Sequence, residues 1–180
     1  MAIVVTLAFA ILARVIRGVS VTGAVAGALV SFVLYVTLGP RAFVALVSVF
    51  VLAWLATRLG YARKQQRGTA ERTDGRTGSQ VLANLGVGAA AALLYANTGN
   101  AIFILAMVAV LGEACADTVS SEYGQAWSEK ALLITTWEEV PAGTDGGISA
   151  AGTIAGVAAA AMISSVCAAV GLLSWRWMWI

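Results

Sequence analysis

Apolar residues in this chain run in long uninterrupted stretches. Residues 18–40, 42–57, 77–112 and 146–175 contain no Asp, Glu, Lys or Arg, giving uncharged runs of 23, 16, 36 and 30 residues. A helix needs about 20 apolar residues to cross a hydrocarbon core, so runs of this kind predict membrane-spanning helices. The longest run is broken by Asn97-Thr98-Gly99-Asn100, a turn signal, and reads as a helical hairpin. The spans then fall at 2–16, 20–38, 42–59, 80–96, 101–121 and 148–173, the first being the shortest. The pattern predicts an all-α polytopic membrane protein. It is a bundle of about six short transmembrane helices in a single domain, 1–180, with a basic loop at 60–79 and a glycine-rich loop at 122–147.

Composition sharpens this picture. Hydrophobic residues make up 60% and charged residues 11%, against roughly 25% charged in soluble domains. The deficit excludes an ordinary soluble fold, and the hydrophobicity excludes disorder. A net charge of +2 gives no reason to expect a nucleic-acid partner, and the absence of histidine excludes histidine catalysis and histidine-bound metals. Cys115 and Cys167 lie in apolar runs at a spacing that fits no metal motif, and read as buried thiols. The uncharged N-terminus lacks the basic segment of a signal peptide, so it reads as part of the mature protein.

Cationic residues set the expected orientation. Arg58, Arg63, Lys64, Arg67, Arg72 and Arg76 surround the loop after the third span, which should be cytoplasmic. Alternation of the spans puts Arg14, Arg17 and Lys130 on that side too, nine residues against Arg41 and Arg176 on the other. Trp175, Trp177 and Trp179 fit an aromatic anchor at the outer surface. The expectation is an integral protein of a bacterial or archaeal cell membrane, in contact with membrane lipid, whose polar segments face the cytoplasm. Arg63, Lys64 and Arg67 are expected to meet lipid headgroups. Gly23, Gly27 and Ser31, and likewise Gly152, Gly156 and Ala160, recur every fourth residue and predict close helix packing.

Chemistry-capable residues cluster in three places. Glu113 and Asp117 in the fifth span are spaced i,i+4 and share a helix face with Ser120, while Glu122 points elsewhere. With the helix ending near Glu122, Glu113 lies ~13 Å below that end. A carboxylate at such depth must face a cavity, a cation or a partner. Mg2+, a hard cation with oxygen ligands, is the natural metal for Glu113, Asp117 and Glu122. The alternative is a set of protonated or arginine-paired carboxylates that lock helices together. The loop Val140-Pro-Ala-Gly-Thr-Asp-Gly-Gly-Ile-Ser149 leads into a helix N-terminus. Gly143, Gly146 and Gly147 free the backbone, Thr144 and Ser149 add hydroxyls, and the helix end favours anions, so phosphate binding is predicted. A flexible turn with a helix cap is the competing reading, and Asp145 either caps that helix or reaches the metal. Gln80 and Asn84 share one face at the start of the fourth span, serving either a ligand or a helix–helix bridge. Arg72 and Arg76 lie nearest to that span and within reach of a phosphate.

Gly75-Arg-Thr-Gly-Ser-Gln-Val-Leu-Ala-Asn84, Ala116-Asp-Thr-Val-Ser-Ser-Glu-Tyr-Gly124 and Leu133-Ile-Thr-Thr136 followed by the 140–149 loop occur here in order. Together they resemble the transmembrane protein 19 family, whose plant and cyanobacterial members include phytyl-phosphate kinase. The resemblance runs from about residue 20 to residue 173. It implies transfer of the γ-phosphoryl group of a nucleoside triphosphate (CTP, UTP or ATP) to a prenyl monophosphate, with Mg2+. Asn84, Asp117, Thr118, Ser121, Glu122, Gly124, Thr135, Thr136, Pro141, Gly143, Thr144, Gly146 and Gly147 fall on the family's patterned positions. Glu113 rests on the helix-face argument alone. Asp117 and Glu122 are then the catalytic carboxylates, and Lys130 or Arg76 offsets developing charge. Asn84, Arg76, Thr135, Thr136 and the 143–149 loop bind phosphates. Family members usually continue into further C-terminal helices, so a homodimer is one way of completing the site. Phosphoryl transfer depends mainly on positioning and electrostatics, which suits a chain without histidine.

Two other readings use the same residues. In an ion-coupled transporter, Glu113 and Asp117 form a cation site and the glycine loop a gate. In a non-catalytic scaffold, neither group is needed for chemistry. The charge bias predicts that Gln66→Cys and Ala142→Cys react with an impermeant thiol reagent from the cytoplasmic side alone. Labelling of both from outside reverses the orientation.

Overall fold

A computed structural model describes residues 1–70 and 73–173. The chain runs α1 (Ala2–Val15), α2 (Val21–Leu38), α3 (Pro40–Arg58), α4 (Tyr61–Gln66), α5 (Gly78–Thr98), α6 (Ile102–Trp127), β1 (Lys130–Leu133), β2 (Glu139–Pro141), β3 (Gly147–Ile148) and α7 (Ala150–Ala169). Five helices, α2, α3, α5, α6 and α7, are long and apolar enough to cross a membrane. The 14 residues of α1 are apolar too. They rise about 21 Å, short of a hydrocarbon core of roughly 30 Å. The six expected spans therefore become five full-length helices and one shorter companion. Arg72, Arg176 and the Trp175, Trp177 and Trp179 tail lie outside the described residues.

Polar residues mark the helix starts. The Ser20 hydroxyl accepts from the Gly23 amide and opens α2. Thr77 and Gln80 form a reciprocal capping box on α5, and Ser149 accepts from the Gly152 amide to open α7. Each satisfies amide donors that the first helical turn leaves without partners. Asp145 is therefore not the cap of α7.

α6 lies at the centre, packed on α7, α5 and α3, while α2 sits among α1, α3 and α5. The shared core includes Val30, Leu34, Leu46, Met107, Leu111 and Ile163. Small residues set the closest helix contact. A Cβ at Gly152 would lie 2.6 Å from the Ser120 carbonyl oxygen, and one at Gly156 would lie 3.0 Å from that of Ala116. The 152–156 stripe is thus a packing face. Gly23 likewise abuts the Arg76 carbonyl, and Ser31 is buried. Gly27 departs from the expected stripe, since a Cβ there would meet nothing within 4 Å; it borders a cavity.

The two expected loops are more structured than the sequence pattern implied. α6 continues to Trp127, beyond the expected end at 121. Residues 130–148 fold into a small antiparallel sheet of order β2-β1-β3, with Ala131 opposite Val140 and Leu132 opposite Ile148. Strands of four, three and two residues are too short to show a hydrophobic period. The basic loop holds α4, and its Lys64, expected at a lipid headgroup, is turned into the protein instead. Lys64 is fully buried, and its ammonium donates to the Glu122 carboxylate and to the Ala56 and Thr57 carbonyls. Arg67 donates to the Gln125 and Ser128 carbonyls at 2.8 and 2.6 Å, and Arg63 stacks over the Trp127 ring at 4.6 Å. Arg67 thus serves the C-terminal end of α6 and Lys64 that of α3, where carbonyls lack helical partners and the helix dipole favours positive charge.

Removing one member of a buried ion pair strands the other charge. Lys64→Met is therefore expected to cost about 3–5 kcal/mol and to lower the unfolding midpoint of the detergent-solubilised protein. Adding Glu122→Leu should restore most of the loss. A Lys64→Met protein as stable as the parent overturns this account of α4.

Candidate functional site

The site is built where the connections α1–α2, α4–α5 and α6–α7 meet at one end of the bundle. Arg76 anchors it. Its amide donates to the Gly18 carbonyl at 3.2 Å, and its carbonyl accepts from the Ser20 amide at 2.9 Å. This bridge holds the entry to α5 against the turn between α1 and α2. The Arg76 guanidinium crosses to α6 and donates to the Thr118 hydroxyl at 3.0 Å, which in turn donates to the Ala114 carbonyl. Arg14 pairs with Asp74 at 3.1 Å on the outside of the same junction.

Three cavities adjoin around this arginine. The first, about 210 Å³, runs into the bundle among α1, α2, α3, α5 and α6. The second, about 440 Å³ and predominantly polar, is bordered by Thr69, Arg76, Gln80, Asn84, Asp117 and Ser121 among others. The third, about 200 Å³, lies between the C-terminal part of α6, the glycine-rich loop and the start of α7. Arg76, Gln80, Asn84 and Thr118 border both the first and the second. Ser121 and Gln125 border both the second and the third. The three form a continuous series, from apolar interior to surface loop.

Sequence-predicted residues divide accordingly. Asn84, Arg76, Asp117 and Glu122 meet at the central cavity. Gly143, Thr144, Gly146, Gly147 and Ser149 line the third. The Asp117 side chain is exposed to its cavity, and among the described residues no cation pairs with it. Glu122 borders the same cavity, yet its carboxylate is taken up by Lys64 and by the Thr57 hydroxyl. Five residues of α6 separate it from Asp117, a rotation of about 140° around the helix. Glu113 lies one turn deeper than Asp117, outside all three cavities. It sits on the strip of α6 between Val110, which meets Gly88 of α5, and Ala116, which meets Gly156 of α7. Among the described residues no three acidic or thiol side chains converge as a metal group. The expected Glu113, Asp117 and Glu122 set therefore reduces to Asp117 at the cavity.

Lys130, Thr135 and Thr136 border none of these cavities. Lys130 pairs with Glu139 at 2.5 Å across the β1–β2 hairpin, and that hydrogen bond and charge raise the pKa of its ammonium. The Thr136 hydroxyl donates to the Glu138 carboxylate in the hairpin turn. The hairpin carries these side chains away from the junction, so their expected phosphate roles find no support in the geometry. Conversely, Ser121 and Gln125 join two cavities although only Ser121 stood out in the sequence. Gln125 sits i+4 from Ser121, a spacing that was readable but lay beyond the expected helix end. Arg17 and Arg58 at the mouth of the first cavity read as orientation signals alone.

A family model described as integral membrane protein DUF92 matches residues 4–180. The chain belongs to this family. A DUF92 membership agrees with the resemblance to the transmembrane protein 19 family and with an integral membrane location. Protein VTE6, chloroplastic, of Arabidopsis thaliana is 32% identical over 140 residues, covering 74% of this chain and 42% of its own length. An uncharacterized membrane protein of Synechocystis is 30% identical, over 79% of this chain and 57% of its own. An uncharacterized membrane protein of Methanocaldococcus jannaschii is 33% identical, over 71% and 52%. The chain thus spans about half the length of the curated relatives it matches. No solved structure matches it.

Two loop glycines of this DUF92 protein are required for different reasons. Gly143 has φ +95°, and a Cβ there would lie 2.5 Å from Thr69 Cγ2; Gly146 has φ +76° but open space around it. A left-handed residue other than glycine costs about 1–2 kcal/mol. Gly143→Ala should therefore loosen the loop more than Gly146→Ala, and Thr69→Ser should rescue Gly143→Ala alone. Proteolytic cleavage rates within 140–149 measure this. Equal rates for the two single variants refute the assigned Thr69 contact.

Proposed function

We propose that this protein is a membrane-embedded prenyl-phosphate kinase, transferring the γ-phosphoryl group of a nucleoside triphosphate to a prenyl monophosphate. The observation that carries the proposal is the shared wall of the first two cavities. Arg76, Asn84 and Thr118 stand between an apolar cavity inside the bundle and a polar cavity holding an unpaired carboxylate. Such a junction suits a reaction between an amphiphile and a water-soluble phosphate donor. The resemblance to a family that includes phytyl-phosphate kinase supports the same class.

Asp117 fits the coordination of Mg2+ in a nucleotide complex. That ion keeps most of its waters and takes one or two carboxylates plus phosphate oxygens. A lone exposed carboxylate in a cavity of about 440 Å³ meets that need, and Mg2+, when bound, would supply charge neutralisation on the phosphates. The remaining steps belong to the protein. Arg76, held on both its backbone and its guanidinium, presents a fixed cation between acceptor and donor. Asn84, half-buried and without a hydrogen-bond partner among the described residues, orients a phosphate oxygen. The 143–147 loop and the start of α7 line the third cavity and receive the donor's distal anionic groups. The acceptor monophosphate is already anionic, so its oxygen attacks without a general base. Glu122, locked to Lys64, supports the cavity floor as a positioning residue. In this reading the junction faces the cytoplasm, the compartment of nucleoside triphosphates.

Asp117→Asn removes the charge while preserving shape, and is expected to lower Mg2+-dependent diphosphate formation by about 100-fold or more. Purified protein, a panel of prenyl monophosphates, CTP, UTP or ATP and Mg2+ would be assayed by product mass. Parental rates in the variant refute the role of Asp117, and absence of diphosphate from the parent with every pairing refutes the kinase.

A further inference from the structure

The first cavity has the form of a single-tail amphiphile site. Its mouth carries three arginines, Arg17, Arg58 and Arg76, together with Thr73 and Tyr61. Its interior is apolar, bounded by Phe9, Gly27, Val30, Leu46, Phe50 and Leu85. Along α3 the distance from Arg58 to Leu46 is twelve residues, about 18 Å of helix rise. The far end is blocked by aromatic rings. Phe9 stacks edge-to-face on Phe50 at 5.2 Å and on Phe43 at 5.5 Å, and Phe43 meets Tyr35 at 5.8 Å. Phe43 and Tyr35 do not border the cavity; they back its floor.

Two details point to a ligand and not to a packing gap. Arg17 adopts φ +57° at the end of α1, a left-handed turn that ordinarily takes glycine. Among the described residues nothing pairs with its guanidinium. Gly27 faces the interior, and a Cβ at that position would have no atom within 4 Å, on a helix where a larger apolar residue would fill the void. A cation held in an unfavoured conformation above an unfilled apolar channel matches an anionic head and a hydrocarbon tail.

We propose that this cavity binds the acceptor as a linear isoprenoid monophosphate, with Arg17 and Arg58 on the phosphate and the tail beside Gly27. Phe9, backed by Phe43, is the residue that limits tail length. This inference rests on the kinase reading for the identity of the acceptor, but its test does not require turnover. Binding of geranyl, farnesyl and geranylgeranyl monophosphates to the purified protein is measured by equilibrium dialysis without nucleotide. The matching prenols and a two-tailed phosphatidic acid serve as competitors.

The monophosphates should bind at least about tenfold more tightly than the prenols. Arg17→Gln with Arg58→Gln should remove that preference. Gly27→Phe should weaken the longer tails most, and Phe9→Ala should shift preference toward a longer tail. A Gly27→Phe protein that retains the parent's unfolding midpoint and binds every tail as before overturns the proposal. So does a Phe9→Ala protein with unchanged length preference, or phosphatidic acid displacing the prenyl phosphates at equal concentration, which would identify an ordinary lipid site. Length-selective binding without phosphoryl transfer sustains the cavity assignment and refutes the kinase. Transfer that is indifferent to Gly27 and Phe9 does the reverse.

Discussion

Lys64 and Glu122 face each other at the edge of the bundle with almost no access to solvent. Two charges withdrawn from water are tolerable only while paired and hydrogen-bonded, because an unpaired charge there carries a large desolvation cost. Glu122 also accepts from Thr57, and the Lys64 ammonium also reaches two carbonyls at the end of α3. Three elements, α3, α4 and α6, are therefore tied at one point. The tie fixes the short α4 and the segment after it, so Thr69 arrives both at the wall of the polar cavity and against Gly143 of the glycine-rich loop. Arg67 and Arg63 hold the same connection against the end of α6 from outside this buried point.

From this constraint the distribution of charge follows. The carboxylates of α6 form one cluster only if their helix faces are ignored. Asp117 looks into the cavity, Glu122 looks at Lys64, and Glu113 lies on the strip between α5 and α7. Cations sort in the same way. Arg63, Lys64 and Arg67 serve the ends of α3 and α6, while Arg17, Arg58 and Arg76 ring the mouth of the apolar cavity. A basic loop that looks uniform in sequence is thus divided between structure and site.

The arrangement also explains why small residues recur on α6 and α7. Membrane helices gain little from apolar burial against each other and depend on close backbone contact. Gly152 and Gly156 bring α7 near enough to Ser120 and Gly124 for the glycine-rich loop to share a wall with the polar cavity. Gly27 shows that the same residue type can do the opposite, leaving room where packing would otherwise close.

Much of this protein was legible in the sequence. Uncharged runs fix membrane spans because lipid offers backbone groups no hydrogen-bond partners and admits helices by hydropathy alone. The turn at 97–100 and the shared end of Asn84, Asp117 and Gly143–Gly147 follow from local chemistry and chain alternation. Helical spacing likewise set Glu122 apart from Asp117. Other features depended on which residues meet across distant segments. The 130–148 sheet forms from strands too short to carry a period. The burial of Lys64, the free carboxylate of Asp117 and the removal of Lys130, Thr135 and Thr136 from the site are set by tertiary packing. The apolar cavity was invisible for the same reason: its walls come from six helices, and an unfilled space leaves no mark on any one of them. Sequence determines where a chain enters and leaves the membrane; only the packed bundle decides which charges are spent on each other and which remain for a ligand.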